Sequence, residues 1–115
     1  MLNENTVLSL NPDRQALARH EAALREHGFG VISVSAPLEA RFEIEMGRCG
    51  VFLTCDMVSA VIYSDLVQLF RRNCPQGLVV WVTCNGHLDD ADVVLSDRDQ
   101  PESIVGTIRA RLKAR

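Results

Sequence analysis

The sequence predicts an α/β protein in which a five-stranded parallel sheet is covered by helices on both faces, the doubly wound arrangement. Short apolar runs alternate along the chain with stretches in which apolar residues recur at steps of three and four. The central runs Gly50–Thr54 and Leu78–Val82 contain no charged residue, which is typical of strands buried on both faces. Because alternating strands and helices build a parallel sheet around one core, we expect residues 1–115 to form a single domain.

The composition argues against several classes of function. Lys and Arg number 12 and Asp and Glu 15, so the net charge is −3, and no continuous basic face is predicted for a nucleic-acid partner. No apolar run reaches the length of about 20 residues that a membrane span needs. The N-terminus also lacks the basic and apolar regions of a signal peptide. We therefore expect a cytoplasmic protein that binds neither nucleic acid nor membrane.

Five strands and four helical stretches account for most of the chain. The predicted strands are Thr6–Leu10, Val31–Val34, Gly50–Thr54, Leu78–Val82 and Val93–Leu95. Helical spacing fills the first three intervals, including Met57–Arg72, and returns after Pro101. Only Cys84–Asp90 lies between the fourth strand and the approach to the fifth. Seven residues are too few for a crossover helix with its two connections, so that helix should be absent or reduced to one turn.

Capping residues and apolar spacing describe the first two helices. Asn11 is predicted to cap the first helix, with Pro12 at its first position and Asp13 beside its positive end. Ser35 is predicted to cap the second helix, which Gly47 ends. The predicted buried side of that second helix consists of Leu38, Phe42 and Met46.

Right-handed crossovers at this chain length favour the flavodoxin-like strand order 2-1-3-4-5. In that order the first strand, ending at Leu10, lies beside the third, ending at Thr54. Because ligands of such sheets bind beyond the carboxyl ends of the strands where the order reverses, the candidate site lies between these two ends.

Four stretches carry a resemblance that covers nearly the whole chain. They are Val7–Asp13, Gly28–Val31, Val79–Cys84 and Ala91–Leu95. In this order and at these spacings they resemble the receiver (CheY-like) domain of bacterial response regulators. The resemblance implies a flavodoxin-like fold. Receivers usually have a full helix between strands four and five, and this chain departs from them there because the segment Cys84–Asp90 is too short.

The resemblance also implies a phosphoryl site, and most of its residue types are replaced here. Receivers use an aspartate at the end of the third strand, acids after the first strand that hold Mg²⁺, a Thr or Ser after the fourth strand and a lysine after the fifth. The corresponding residues of this chain are Thr54, Asn11 and Pro12, Thr83 and Asp97. Only Thr83 matches. The implied function is a non-phosphorylatable pseudo-receiver, a protein-interaction module that is not an enzyme and holds no metal or cofactor.

Two alternatives use other residues near the same strand ends. Asp13 and Asp56, together with Asp97, can form a displaced cation or phosphoacceptor site, or else Asp13 and Asp56 serve only the adjoining helix ends. Cys55 and Cys84 follow neighbouring strands and can form a redox or ligand-binding pair, or else they are inert buried thiols.

Loss of the fourth crossover helix predicts an uncovered apolar surface over the last two strands and the last helix. Such a surface on a receiver-like domain is expected to bind a protein partner or a second copy of the chain. The residues assigned to it are Trp81, His87, Leu88, Val94, Ile104 and Ile108. The alternative for Trp81 is that its ring faces the opposite layer and packs under the last helix.

Overall fold

The computed structural model describes residues 5–83, 91–96 and 100–114. The elements in chain order are β1 Thr6–Leu10, α1 Arg14–Glu26, β2 Gly30–Val34, α2 Pro37–Met46, β3 Val51–Cys55, α3 Ala60–Asn73, β4 Leu78–Thr83, β5 Val93–Ser96 and α4 Pro101–Lys113. All neighbouring strands are parallel, and the sheet order is β2-β1-β3-β4-β5. The predicted fold class and strand order are confirmed. The described residues form four helices, while residues 84–90 of the shortened crossover lie outside the described ranges.

The core has two halves because each central strand is buried on both faces. Successive residues, such as Val7 and Leu8, point to opposite sides of the sheet. One side packs against α1 and α4, through residues that include Leu24 and Ile108, and the other against α2 and α3. This double burial is the physical reason for the uncharged runs in the sequence. Within the described ranges, the helices are too short or too polar for any of them to cross a membrane.

The capping residues of the first two helices differ from the prediction. Asp13 caps α1, because its carboxylate accepts hydrogen bonds from Gln15 N at 3.0 Å and Ala16 N at 3.4 Å. Asn11 lies two residues before this cap, and its Oδ1 accepts from Asp13 N at 2.9 Å. The N-cap of α2 is Ala36, without a side-chain hydrogen bond, so the prediction of Ser35 as the cap is wrong.

The predicted buried face of α2 is also wrong. Leu38, Phe42 and Met46 are 78%, 58% and 53% exposed, whereas Ala40 and Ile44 are buried against the sheet. Both sets repeat every four residues, so helical periodicity alone does not distinguish them. The small side chain of Ala40, which is fully buried, lets the helix approach the sheet closely.

A side chain joins the start of β5 to β4. The Asp92 carboxylate accepts a hydrogen bond from Val79 N at 2.8 Å, and Asp92 N donates to Val79 O at 3.0 Å. Arg71 of α3 contacts the same carboxylate oxygen at 3.3 Å. Asp92 thus connects the edge strand to the core of the sheet and to a helix above it.

Candidate functional site

A cleft opens at the carboxyl ends of β1 and β3 because these strands diverge. Their ladder ends at the pair Ser9 and Leu53. Beyond that pair the backbone of β1 turns toward β2, with Asn11 N donating to Val34 O at 3.1 Å. The backbone of β3 follows β4 instead, with Asp56 N donating to Val82 O at 3.2 Å. We call this divergence the β1–β3 fork, and it lies where the predicted strand order reverses.

The cleft has a volume of about 180 Å³. It is lined by Asn11, Asp13, Ala16, Arg19, His20, Cys55, Asp56, Met57 and Val82. The structure therefore brings together three of the predicted site residues, Asn11, Asp13 and Asp56. Pro12 is exposed, Thr54 and Thr83 are not part of the lining, and Asp97 lies outside the described residues.

Thr54 spans the β1–β3 fork and does not face the cleft. Its hydroxyl is buried and donates to the carbonyl oxygen of Leu10 at 3.1 Å. Strand β3 continues one residue further than predicted, so that its last residue, Cys55, lines the cleft. The prediction that β3 ends at Thr54 is thus wrong by one residue. The side chains of Thr54 and Cys55 point to opposite faces of the strand. The correspondence of Thr54 to the phosphoacceptor of receivers stays a prediction.

The Asp56 carboxylate accepts a hydrogen bond from the last residue of β4. Thr83 Oγ1 donates to Asp56 Oδ2 at 2.9 Å. The helix that follows is capped by Ser59, whose hydroxyl accepts from Ile62 N at 3.3 Å. The interpretation of Asp56 as a helix cap is therefore wrong, whereas that of Asp13 as serving a helix end is confirmed.

Two further residues of the cleft, Arg19 and His20, were missed from the sequence. Burial, followed by the nearby charge of Arg19, lowers the pKa of His20, which favours a neutral imidazole. His20 follows Asp13 by seven residues, about two helical turns, and this spacing is the signal that would have found it. Arg19, six residues after Asp13, carries no such signal. Over the described ranges, the model contains no group of three or more His, Cys, Asp or Glu side chains placed to hold a metal ion.

Among the described residues that line the cleft, Cys55 is the only thiol, and its surroundings favour the protonated, unreactive form. Cys49, Cys55 and Cys74 are free and buried. Burial raises the pKa of Cys55, and the charges of Asp56 and Asp13 act in the same direction. Because the thiolate is the reactive form, this environment disfavours nucleophilic or redox chemistry at Cys55. Cys84, the other member of the predicted pair, lies outside the described residues.

The buried Cys49 thiol should make the fold sensitive to alkaline pH. Burial, with smaller contributions from Cys74 and Glu43, raises its pKa from 9.0 to about 12. Above pH 9 the unfolded chain releases this proton while the folded chain keeps it, so stability falls as pH rises toward 12. Between pH 9 and pH 10 we expect Cys49 to account for a loss of about 1 kcal/mol in unfolding free energy. Urea unfolding of the wild type and Cys49→Ala checks this: equal pH slopes would contradict it.

A larger cleft, of about 380 Å³, lies at the opposite edge of the sheet between the ends of α1 and α4. Its lining includes Phe29 and Arg109, and the Arg109 guanidinium stacks over the Phe29 ring at 5.3 Å. Arg109 also donates to the carbonyl oxygen of His27. Because parallel sheets of this order bind ligands at the carboxyl edge, and Arg109 is already engaged, we take the smaller cleft as the candidate site.

Of the four described residues that were assigned to a surface over the last strands, only Val94 is exposed. Trp81 is 3% exposed and packs edge-on against Tyr63 of α3, with ring centroids 4.3 Å apart. It therefore lies on the α2–α3 side and not under the last helix. Ile104 and Ile108 are buried beneath α4, so their assignment to a surface is wrong. Val94, the β5 partner of Trp81, is 39% exposed, while His87 and Leu88 lie outside the described residues.

Several solved structures that share this fold are response regulators or their receiver domains. A CheY-like response regulator receiver domain protein from Methanospirillum hungatei superposes with a TM-score of 0.84 at 17% identity, over 97% of this chain and 96% of that chain. A response regulator from Thermotoga maritima gives 0.82 at 14%, over 96% and 99%. One from Burkholderia pseudomallei, solved with a phosphorylated aspartic acid and a calcium ion, gives 0.78 at 13%, over 97% and 72%. No protein-family model and no curated protein sequence matches the chain. The fold is thus that of CheY-like receivers.

Proposed function

We propose that this protein is a pseudo-receiver, a cytoplasmic protein-interaction module of a bacterial two-component-type pathway that takes no phosphoryl group. The observation that carries this proposal is the chemistry of three successive residues at the end of β3, Thr54, Cys55 and Asp56. Thr54, where the resemblance calls for an acid, has no carboxylate, and its hydroxyl is used in the bond to Leu10 O. Cys55 lines the cleft, and the next residue, Asp56, already accepts the Thr83 hydroxyl at 2.9 Å. The proposed module is not an enzyme and needs no cofactor.

The cleft gives two physical reasons against aspartyl phosphorylation. A structural neighbour from Burkholderia pseudomallei carries its phosphoryl group on an aspartic acid, whereas neither Thr54 nor Cys55 has a carboxylate. After β1, Asn11 and Pro12 stand where receivers carry acids, and Asp13 is used as the cap of α1. The cleft therefore holds fewer carboxylates for Mg²⁺, which prefers oxygen ligands of this kind.

The bond between Thr83 and Asp56 also suggests how the module works without a phosphoryl group. The resemblance implies that Thr83 is the residue that senses a phosphoryl charge. Here its hydroxyl is held by a carboxylate that belongs to the chain itself. The end of β4 is then fixed in one arrangement, and the proposed module presents its binding surface constitutively. Val94 on β5 provides exposed apolar area for such a surface.

A second candidate is a receiver that is phosphorylated on Asp56. The favouring observation is that Asp56 is exposed at the cleft, shares its lining with Asp13 and has the Thr83 hydroxyl at hydrogen-bond distance. This candidate requires Mg²⁺ to bind between the two carboxylates.

Beryllofluoride with Mg²⁺ should produce no change in the protein. Trp81, the only tryptophan, is buried in β4 two residues before Thr83, so its emission reports on rearrangement of that strand end. We expect identical emission spectra with and without beryllofluoride and Mg²⁺, and no phosphoryl adduct by intact mass after incubation with acetyl phosphate. The matched control is Asp56→Asn. An Mg²⁺-dependent change that disappears in Asp56→Asn would replace our proposal with the second candidate.

A further inference from the structure

The outward face of α2 carries a continuous apolar stripe, formed by Leu38, Phe42 and Met46. These side chains are 78%, 58% and 53% exposed. Residues four apart lie on the same side of a helix, so the three form one line along α2, away from the buried Ala40 and Ile44. An apolar line this exposed is typical of an interaction surface.

Charged residues flank the stripe on both sides, and most of them form ion pairs. Arg41 and Glu45 form an ion pair at 3.0 Å on one side. On the other side, Arg48 reaches Glu43 at 2.7 Å from beyond the helix end. Glu39, on the same side as Glu43, is exposed and forms no ion pair with a described residue, so this side of the rim is the more acidic one. A polar rim of mixed sign is the usual arrangement around an apolar interface centre.

We propose that a second copy of this chain covers the stripe, by antiparallel pairing of two α2 helices across a twofold axis at Phe42. The apolar pattern is symmetric about that residue, with Leu38 four positions before it and Met46 four positions after it. A twofold interface must be complementary to itself, and this pattern meets the requirement. Phe42 meets Phe42 of the second copy, and Leu38 meets Met46.

The charges are consistent with the same pairing. Arg41 lies one position before the centre and Glu45 three positions after it, on the same side of the stripe. In the antiparallel dimer, Arg41 of one copy and Glu45 of the other lie about 3 Å apart along the helix direction, since each residue rises about 1.5 Å. The ion pair within each helix is then shared across the interface. A different protein partner would not require this symmetry.

The available area predicts a weak dimer. The three stripe residues and their rim cover roughly 500–600 Å² per copy, or about 1,100 Å² in total, at the lower end of specific protein interfaces. We therefore expect dissociation in the micromolar range. The stripe lies on α2, whereas the proposed partner surface includes Val94 on β5, so each can fail without the other.

Sedimentation equilibrium of the full chain, from about 1 μM to about 500 μM, tests the dimer. We expect a monomer–dimer equilibrium that Phe42→Glu weakens by at least about tenfold. The matched control is Val94→Glu, which places the same charge on another exposed apolar residue and should leave the equilibrium unchanged. Phe42 is mostly exposed, so its variant should keep the wild-type melting curve. A monomer at every concentration, or a dimer sensitive only to Val94→Glu, would overturn the proposal.

Crosslinking tests the antiparallel geometry directly. With a short bismaleimide, Phe42→Cys should crosslink to itself, and a mixture of Leu38→Cys and Met46→Cys should give the mixed dimer. The control and every variant carry Cys84→Ser, because Cys84 lies outside the described residues. The other three cysteines, Cys49, Cys55 and Cys74, are buried. Efficient crosslinking of Leu38→Cys to itself, with none to Met46→Cys, would indicate parallel helices and contradict the proposed pairing.

Discussion

Gly77→Ala should destabilise the fold by about 1–3 kcal/mol, because the added methyl group has no room. An ideal Cβ at Gly77 would lie 2.5 Å from Phe70 Cζ and 2.7 Å from Cys74 Sγ. Phe70 is 1% exposed and packs against Phe52 with ring centroids 5.8 Å apart, so its ring cannot turn into solvent. Urea unfolding should show a lower midpoint with an unchanged slope.

The same substitution at Gly106 should have the opposite effect. Gly106 lies inside α4, and an added Cβ would meet no atom within 4 Å. Because alanine favours a helix over glycine, Gly106→Ala should stabilise the protein by up to about 1 kcal/mol. If the two variants shifted the midpoint in the same direction, the packing argument for Gly77 would be wrong.

Asp92→Ala should destabilise the fold by about 1–3 kcal/mol, since it leaves the N–H of Val79 without its acceptor. Val79 is fully buried, so water does not replace the carboxylate. The contact with Arg71 is lost as well. Thermal or urea unfolding measures the change, and hydrogen exchange should show faster exchange at Val79 and along β5.

Two further variants test whether the loss of stability in Asp92→Ala comes from the lost hydrogen bond. Asp92→Asn keeps an oxygen that can accept from Val79 N and should recover part of the stability. Asp65→Ala removes an exposed carboxylate from α3 and should change stability by no more than about 0.5 kcal/mol. A loss of stability in Asp65→Ala as large as in Asp92→Ala would indicate a general effect of charge and would count against the role of the hydrogen bond.

The sheet could be predicted from the sequence because its signals are redundant. Every central strand is uncharged and buried along its whole length, and few topologies connect five strands with right-handed crossovers. The orientation of single side chains was not predictable in the same way. Trp81 lies in a strand buried on both faces, so polarity does not indicate its side. On α2, the stripe through Phe42 and the stripe through Ala40 obey the same spacing.

The candidate site was predictable to within one residue. The positions of Asn11, Asp13 and Asp56 beside the switch point follow from the strand order alone. Whether the side chain of Thr54 or that of Cys55 lines the cleft does not follow from the strand order. The two side chains point to opposite faces, so the answer depends on the residue at which the strand ends. The bond from Thr83 to Asp56 depends on the register between two strands, which is a property of the folded chain.

The β1–β3 fork separates the residues that hold β1 and β3 together from most of the residues that line the cleft. Up to Ser9 and Leu53 the two strands are tied by their backbones, and just beyond them the hydroxyl of Thr54 is the bridge. Cys55 and Val82 form the buried floor of the opening, whereas Asp13, Asp56 and Met57, which also line it, are exposed and lie outside the core. Evolution can therefore replace the chemistry of the cleft while the sheet beneath it persists. Substitutions that remove a phosphoryl site at this position would cost little stability, so a receiver fold can lose phosphorylation and remain folded as a binding protein.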